Sequence, residues 1–142
     1  MFIGQYEHSL DNKNRLFIPA KFRLGKDKFV VTRGLEACLF LFPQNSWQEI
    51  MQKLNSLPMG KAEARSFMRL FASGAQECDV DQQGRILVPQ LLKGYSGIRS
   101  KVTVIGVVNR IEIWDEQKWR SFYKKNKPKY EQIAESLTEL GI

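Results

Sequence analysis

Gly4-Gln5-Tyr6-Glu7-His8-Ser9-Leu10-Asp11-Asn12-Lys13-Asn14-Arg15-Leu16-Phe17-Ile18-Pro19 is repeated 70 residues on as Gly74-Ala75-Gln76-Glu77-Cys78-Asp79-Val80-Asp81-Gln82-Gln83-Gly84-Arg85-Ile86-Leu87-Val88-Pro89. Gly4, Glu7, Asp11, Arg15 and Pro19 fall on Gly74, Glu77, Asp81, Arg85 and Pro89, five identities in sixteen positions. The three residues between Arg and Pro are apolar in both copies. With the shift raised to 72, Val30, Gly34 and Trp47 fall on Val102, Gly106 and Trp119, and Leu39-x-Leu41-Phe42 falls on Ile111-x-Ile113-Trp114. One two-residue insertion joins the two alignments, so the chain reads as a tandem duplication.

Each copy reads as four short strands followed by a helix, because β-branched and aromatic residues recur between turn formers. The expected strands lie near Gln5–Leu10, Arg15–Pro19, Phe29–Thr32 and Cys38–Phe42, then near Ala75–Val80, Arg85–Pro89, Val102–Ile105 and Arg110–Trp114. Ser46-Trp47-Gln48-Glu49 has the spacing of a capping box, in which Ser46 and Glu49 satisfy each other's free amides. Trp47, Ile50, Met51 and Leu54 form the apolar face of that helix. In the second copy Asp115 is the expected cap, and Trp119, Phe122 and Tyr123 repeat the spacing. Aromatic residues at i, i+3 and i+4 are read as core, not as a base-stacking surface.

Between the copies, Ala64, Phe67, Met68 and Phe71 at helical spacing predict a packed helix within Gly60–Ser73, stopped by Gly74. After Tyr123 the run Lys124-Lys125-Asn126-Lys127-Pro128-Lys129 is read as a solvated helix end, with a phosphate-binding arm as its alternative. Pro128 should break the helix there. A last amphipathic segment carries Ile133, Leu137 and Leu140. The organisation expected is a first unit at 5–47, a helical connector at 48–75, a second unit at 76–119 and a helical tail at 120–142.

In both copies a strand ends at an aspartate, crosses three polar residues and restarts at an arginine. Asp11 and Asp81 suit turns in which a carboxylate accepts from amides two or three residues on. Asn14 and Gly84 occupy the fourth position, where a left-handed backbone is tolerated. On one reading Arg15 and Arg85 pair with these aspartates, or with Glu7 and Glu77, and only hold the turn. On the other they face nucleic acid. The second reading draws on Lys13 beside Arg15, and on Lys21 and Arg23 just past the strand, because residues 1–34 hold seven Lys/Arg against three acids. Phosphate would supply the missing negative charge, and an arginine fork held by its own turn suits guanine edges in the major groove. The second loop has neutral Gln82 and Gln83, so the first loop should dominate.

The composition fits a binding protein. The 142 residues are 43% hydrophobic and 26% charged, with a net charge of +7 and a pI near 9.5, a balance that attracts polyanions. No apolar run is long enough to span a bilayer and no secretion signal opens the chain, so a cytoplasmic protein that does not engage membrane is expected. Cys38 and Cys78 lack metal-ligand spacing and are read as buried free thiols. The single histidine, His8, has no nucleophile motif or phosphate-binding glycine loop beside it, so neither catalysis, a small-molecule substrate nor a cofactor is expected.

At these residues the chain resembles the MraZ family of bacterial transcriptional regulators. The matching stretches are His8 to Asp11, Arg15 to Arg23, Ser73 to Glu77, Gly84 to Pro89 and Arg110 to Asp115, spread over nearly the whole chain. The resemblance implies an α+β, mainly β fold: tandem duplicated half-barrels of the SpoVT/AbrB double-ψ or swapped-hairpin type, with flanking helices. It also implies a homo-oligomeric ring that binds double-stranded DNA at promoter repeats of the division and cell-wall gene cluster, in the cytoplasm and on the nucleoid. Lys13, Arg15 and Arg85 would be the DNA-contacting positions it carries over. Asn14 departs from the glycine usual in the family; it preserves the turn and adds a side chain. The rival reading is an oligomeric scaffold or inhibitor that binds protein and does not read DNA.

Overall fold

The computed structural model describes residues 1–141. Its strands are β1 (Gln5–Ser9), β2 (Arg15–Phe17), β3 (Lys28–Arg33), β4 (Leu39–Pro43), β5 (Gln76–Asp79), β6 (Arg85–Leu87), β7 (Lys101–Val107) and β8 (Arg110–Asp115). Its helices are α1 (Gln44–Asn55), α2 (Ala62–Ser73), α3 (Gln90–Ser96), α4 (Glu116–Asn126) and α5 (Tyr130–Ser136).

Among the described residues six strands form one sheet in the order β1-β7-β8-β4-β3-β5, and β2 pairs only with β6. Every pairing is antiparallel. The order is a palindrome of the duplication. The first strand of each copy pairs with the third strand of the other, β1 on β7 and β5 on β3. Symmetric pairs mark the pseudo-two-fold axis, with Phe40 opposite Glu112 in the sheet and Leu16 opposite Ile86 in the ribbon.

Strand pairing corrects the offset between the copies. His8 faces Val102, and its counterpart Cys78 faces Phe29, so Phe29 is equivalent to Val102, a shift of 73 in place of 72. Arg33, and not Gly34, then corresponds to Gly106. The extra length sits before β7, where α3 replaces the short 3-10 turn Ala20–Phe22 of the first copy. One residue is returned in the hairpins, since residues 34–38 separate Arg33 from its partner Leu39, whereas 107–110 separate Gly106 from Ile111.

Alternation along the strands builds a layer on each face of the sheet. Leu39, Leu41, Ile111, Ile113, Phe29, Val31, Val102 and Val104 point to one face. There they meet Leu16, Ile18, Ile86, Val88 and Leu92 from the ribbon and the helical turns after it. On the other face, Phe40, Phe42, Ile105 and Trp114 meet α1, α2 and α4. The Trp47 and Phe71 rings stack at 5.6 Å, which pins α2 over α1. Glu112 is buried there between Trp114 Nε1, which donates to it at 3.0 Å, and Arg110, which donates at 2.7 Å.

Several local expectations change. β2 and β6 stop at Phe17 and Leu87, short of the prolines. Pro19 and Pro89 each open a helical turn, a position where a missing amide costs nothing. Ser46 does not cap α1: the helix begins at Gln44 after Pro43, so Ser46 lies inside its first turn. Asp115 does cap α4, accepting from the Lys118 amide at 3.3 Å. Gly74 ends α2 with an ordinary right-handed backbone. Its lack of a side chain serves Arg33, whose Nη1 would lie 2.7 Å from a Cβ there. Met51 is exposed, and so is Tyr123. The helix does break after Asn126, where a 3-10 turn containing Pro128 leads into α5.

Candidate functional site

Both Asp-x-x-x-Arg segments fold into the same closed turn. Asp11 Oδ1 accepts from the amides of Lys13 and Arg15, each at 2.9 Å. Asp81 Oδ1 accepts from Gln83 and Arg85 at the same distance. The Asn14 amide donates to the Asp11 carbonyl, and that of Gly84 to the Asp81 carbonyl. Asn14 and Gly84 are left-handed, at φ 60 and 81, as the sequence pattern requires. The amide donors, then the arginine side chain, hold the Asp11 carboxyl down at about 2. Asp81 is lowered for the same reasons.

The second oxygen of each aspartate orients its arginine. Arg15 Nε donates to Asp11 Oδ2 at 2.7 Å, and Arg85 Nε to Asp81 Oδ2 at 3.0 Å. The aspartates, not Glu7 or Glu77, are the partners. Pairing through Nε leaves the far end of the guanidinium available. Among the described residues, neither Nη of Arg15 has a partner, and Arg85 Nη1 makes one long contact, 3.5 Å to Asp11 Oδ2.

The β2–β6 ribbon brings the two turns together. Arg15 faces Leu87 and Phe17 faces Arg85, so these four side chains share the face opposite buried Leu16 and Ile86. Two reciprocal bonds tie each turn to the other strand, from the Ile18 amide to the Gly84 carbonyl at 2.9 Å and from the Val88 amide to the Asn14 carbonyl at 2.8 Å. Arg23 lies beside this face. Its Nε donates to the Ile18 carbonyl at 2.6 Å and its guanidinium stands 5.1 Å from the centre of the Phe17 ring. Gly84 makes room for it, because a Cβ there would lie 2.7 Å from Arg23 Cζ.

Sequence reasoning missed Lys93. It occupies in the second copy the place of Arg23, and its Nζ donates to Asn14 Oδ1 at 3.0 Å. Each turn is therefore braced by a base from the other copy, Gly84 by Arg23 and Asn14 by Lys93. Extending the 70-residue shift past Pro89 would have placed Lys93 over Arg23. Lys13 and Lys21 are exposed, and neither forms an ion pair among the described residues.

The remaining polar candidates lie elsewhere. The His8 ring packs edge-on against Phe17 at 5.2 Å, and burial lowers its pKa. Cys38 and Cys78 are buried free thiols whose pKa burial raises, that of Cys78 to about 11. Among the described residues no group of three or more His, Cys, Asp and Glu could hold a metal ion, and no helix is long and apolar enough to cross a membrane.

A family model described as "MraZ protein, putative antitoxin-like" matches the chain twice, over residues 1–70 and 71–140. The chain is also 52% identical over 144 residues to the "Transcriptional regulator MraZ" of Syntrophomonas wolfei subsp. wolfei (strain DSM 2245B / Goettingen), with 100% of each chain covered.

Proposed function

This chain belongs to the MraZ family, and we propose that it is a transcriptional regulator that binds double-stranded DNA with the β2–β6 ribbon. The observation that supports this reading most is the anchoring of Arg15 and Arg85 through Nε by their own turns, which leaves both Nη of Arg15 without a hydrogen-bond partner among the described residues and Arg85 with one long Nη1 contact to Asp11. A two-stranded ribbon fits the major groove, and a rigid arginine fork matches the O6 and N7 acceptors of guanine. Anchoring before binding removes much of the entropy cost of ordering so long a side chain.

In this reading Arg15 and Arg85 contact base edges, while Lys13, Asn14, Lys21 and Arg23 contact the backbone. Asp11, Asp81 and Gly84 hold the turns. The two copies bind unequally, the Lys13 side more tightly, because the second loop is neutral at Gln82 and Gln83. The units are of the SpoVT/AbrB swapped-hairpin type, at 5–47 and 76–119, interleaved through β1 and β5, with the 48–75 connector and the 120–142 tail outside them.

The family resemblance further supports a ring of subunits that acts in the cytoplasm, on the nucleoid, at promoter repeats of the division and cell-wall gene cluster. Several ribbons on one ring, meeting repeats of matching spacing, bind far more tightly than one ribbon alone.

The test is a titration of the native chain, Arg15→Ala and Arg85→Ala against random DNA and DNA from upstream of that gene cluster. Each variant should lose ~10-fold or more on the promoter DNA and much less on random DNA. Folded variants that bind both DNAs as the native chain does would show that the arginines only hold the turns.

A further inference from the structure

The two copies differ in what covers their last helix. In the first copy α2 lies over α1, with Phe71 stacked on Trp47 and Phe67 stacked on Phe71. In the second, the apolar clusters of the described residues end at Phe122. Tyr123 reaches back to 6.2 Å from the Trp119 ring, and the chain after it runs on outside the clusters. This leaves Tyr123, Tyr130, Ile133, Leu137 and Leu140 between 44% and 74% exposed. Several of these line a cleft of about 900 Å³ between α4 and the tail. Surface so apolar in one short segment normally marks a contact.

The charges on the segment are ordered. Lys124, Lys125, Lys127 and Lys129 come first, and Glu131, Glu135 and Glu139 follow. Among the described residues none of the seven forms an ion pair. A segment with a basic first half and an acidic second half is complementary to itself when two copies run antiparallel. We infer that residues 123–140 of one chain pair antiparallel with the same residues of a second copy, an isologous contact that buries the apolar cleft between them. The occupant is thus a second copy of this chain, chosen by the charge order. A hydrophobic surface alone would accept many partners.

An isologous contact closes on itself in pairs, so it differs from the head-to-tail contacts by which subunits close a ring. It joins two chains, or two assemblies, and it stands independently of the DNA reading.

The test uses two full-length variants. One carries Lys124→Glu, Lys125→Glu, Lys127→Glu and Lys129→Glu; the other carries Glu131→Lys, Glu135→Lys and Glu139→Lys. Alone, each sets like charges against like, and native mass spectrometry should show half the subunit number of the unmodified protein. Mixed together, the two should restore that number in assemblies that hold both variants in equal amounts. Leu137→Asp provides a check free of the charge pattern and should also halve the number. Retention of the native subunit number by the separate variants, or failure of the mixture to recover it, would overturn the pairing. An unmodified chain that runs as a monomer would do the same. Circular dichroism and promoter-DNA binding of each variant report whether the rest of the molecule is intact.

Discussion

Arg85 of the second loop reaches Asp11 of the first at 3.5 Å, on the same carboxylate oxygen that accepts from Arg15 Nε at 2.7 Å. One side chain therefore touches both arginines, although 74 residues separate it from Arg85. Among the described residues Asp81 pairs with its own arginine alone. The pseudo-symmetric ribbon is thus asymmetric in its electrostatics, and the two aspartates should not behave alike on substitution.

Asp11→Asn should loosen both arginines, and Asp81→Asn only Arg85. The asparagine oxygen still accepts from the turn amides, so the chain stays folded. Specific DNA affinity should fall ~10-fold or more for Asp11→Asn and by a smaller factor for Asp81→Asn, given about 1–3 kcal/mol of discrimination per well-oriented arginine. Fluorescence anisotropy on promoter DNA measures both. Equal losses would show that the 3.5 Å contact does not couple the loops.

The acid limb of stability follows from the same carboxylates. The Asp11 carboxyl sits at about 2, and Asp81 is also lowered, whereas an unfolded aspartate titrates near about 3.9. A group whose folded pKa is depressed stabilises above its unfolded value and loses that contribution as pH falls through the folded one. The difference in thermal midpoint between the native chain and Asp11→Asn should therefore be constant above about pH 5, shrink as pH falls towards about 2, and disappear only below that. A difference independent of pH would mean that the carboxylate charge is not its source.

Salt dependence separates the lysines from the arginines. A contact to phosphate adds roughly 0.9 to the steepness of log affinity against log salt. Lys13→Ala and Lys21→Ala should each reduce the slope by about that amount on promoter and random DNA alike. Arg15→Ala should chiefly narrow the ratio between the two DNAs. Unchanged slopes for both lysine variants would remove them from the interface.

Gly84→Ala and Asn14→Gly test the bracing of the turns. At φ 81 an alanine is strained by roughly 1–2 kcal/mol, and its Cβ would also displace Arg23. A clear fall in urea midpoint is expected. Asn14→Gly keeps the backbone at φ 60 without strain and loses two side-chain bonds, the one from Lys93 at 3.0 Å and a long one to Gln90 Oε1 at 3.4 Å, so its midpoint should move much less. The reverse order would mean that side-chain bonds at position 14 matter more than backbone strain at 84.

The pseudo-axis carries a packing prediction. Leu16 and Ile86 face each other across the ribbon, 0% and 1% exposed. Leu16→Ala should cost about 2–5 kcal/mol, and Ile86→Ala a similar amount, because both open a cavity at one layer of the core. Chemical denaturation reads both, and a large disparity would contradict the equivalence of the two copies.

Features that depend on neighbours along the chain are legible in the residues alone. The duplication, the eight strands within a few residues, the two turns and the Asp115 cap follow from alternation, from turn residues and from short-range hydrogen bonding. The sequence misleads where a local pattern has competitors. Ser46 looks like a cap by its spacing, yet Pro43 starts the helix earlier. α3 and the 3-10 turn at Ala20 are too short to show a period. Gly74 has the composition of a left-handed helix end and instead yields space to Arg33.

Tertiary structure alone decided which strands pair, since alternation states which side of a strand is buried and not what lies against it. Pairing β1 with β7 and β5 with β3 corrected the offset between the copies and brought the two turns together across the ribbon. Only then do Asp11 and Arg85 meet, Lys93 reach Asn14 and Arg23 settle over Gly84. The partners in those contacts are far apart in the chain, so no local pattern specifies them. They are fixed by burial of both faces of one sheet built from two interleaved copies.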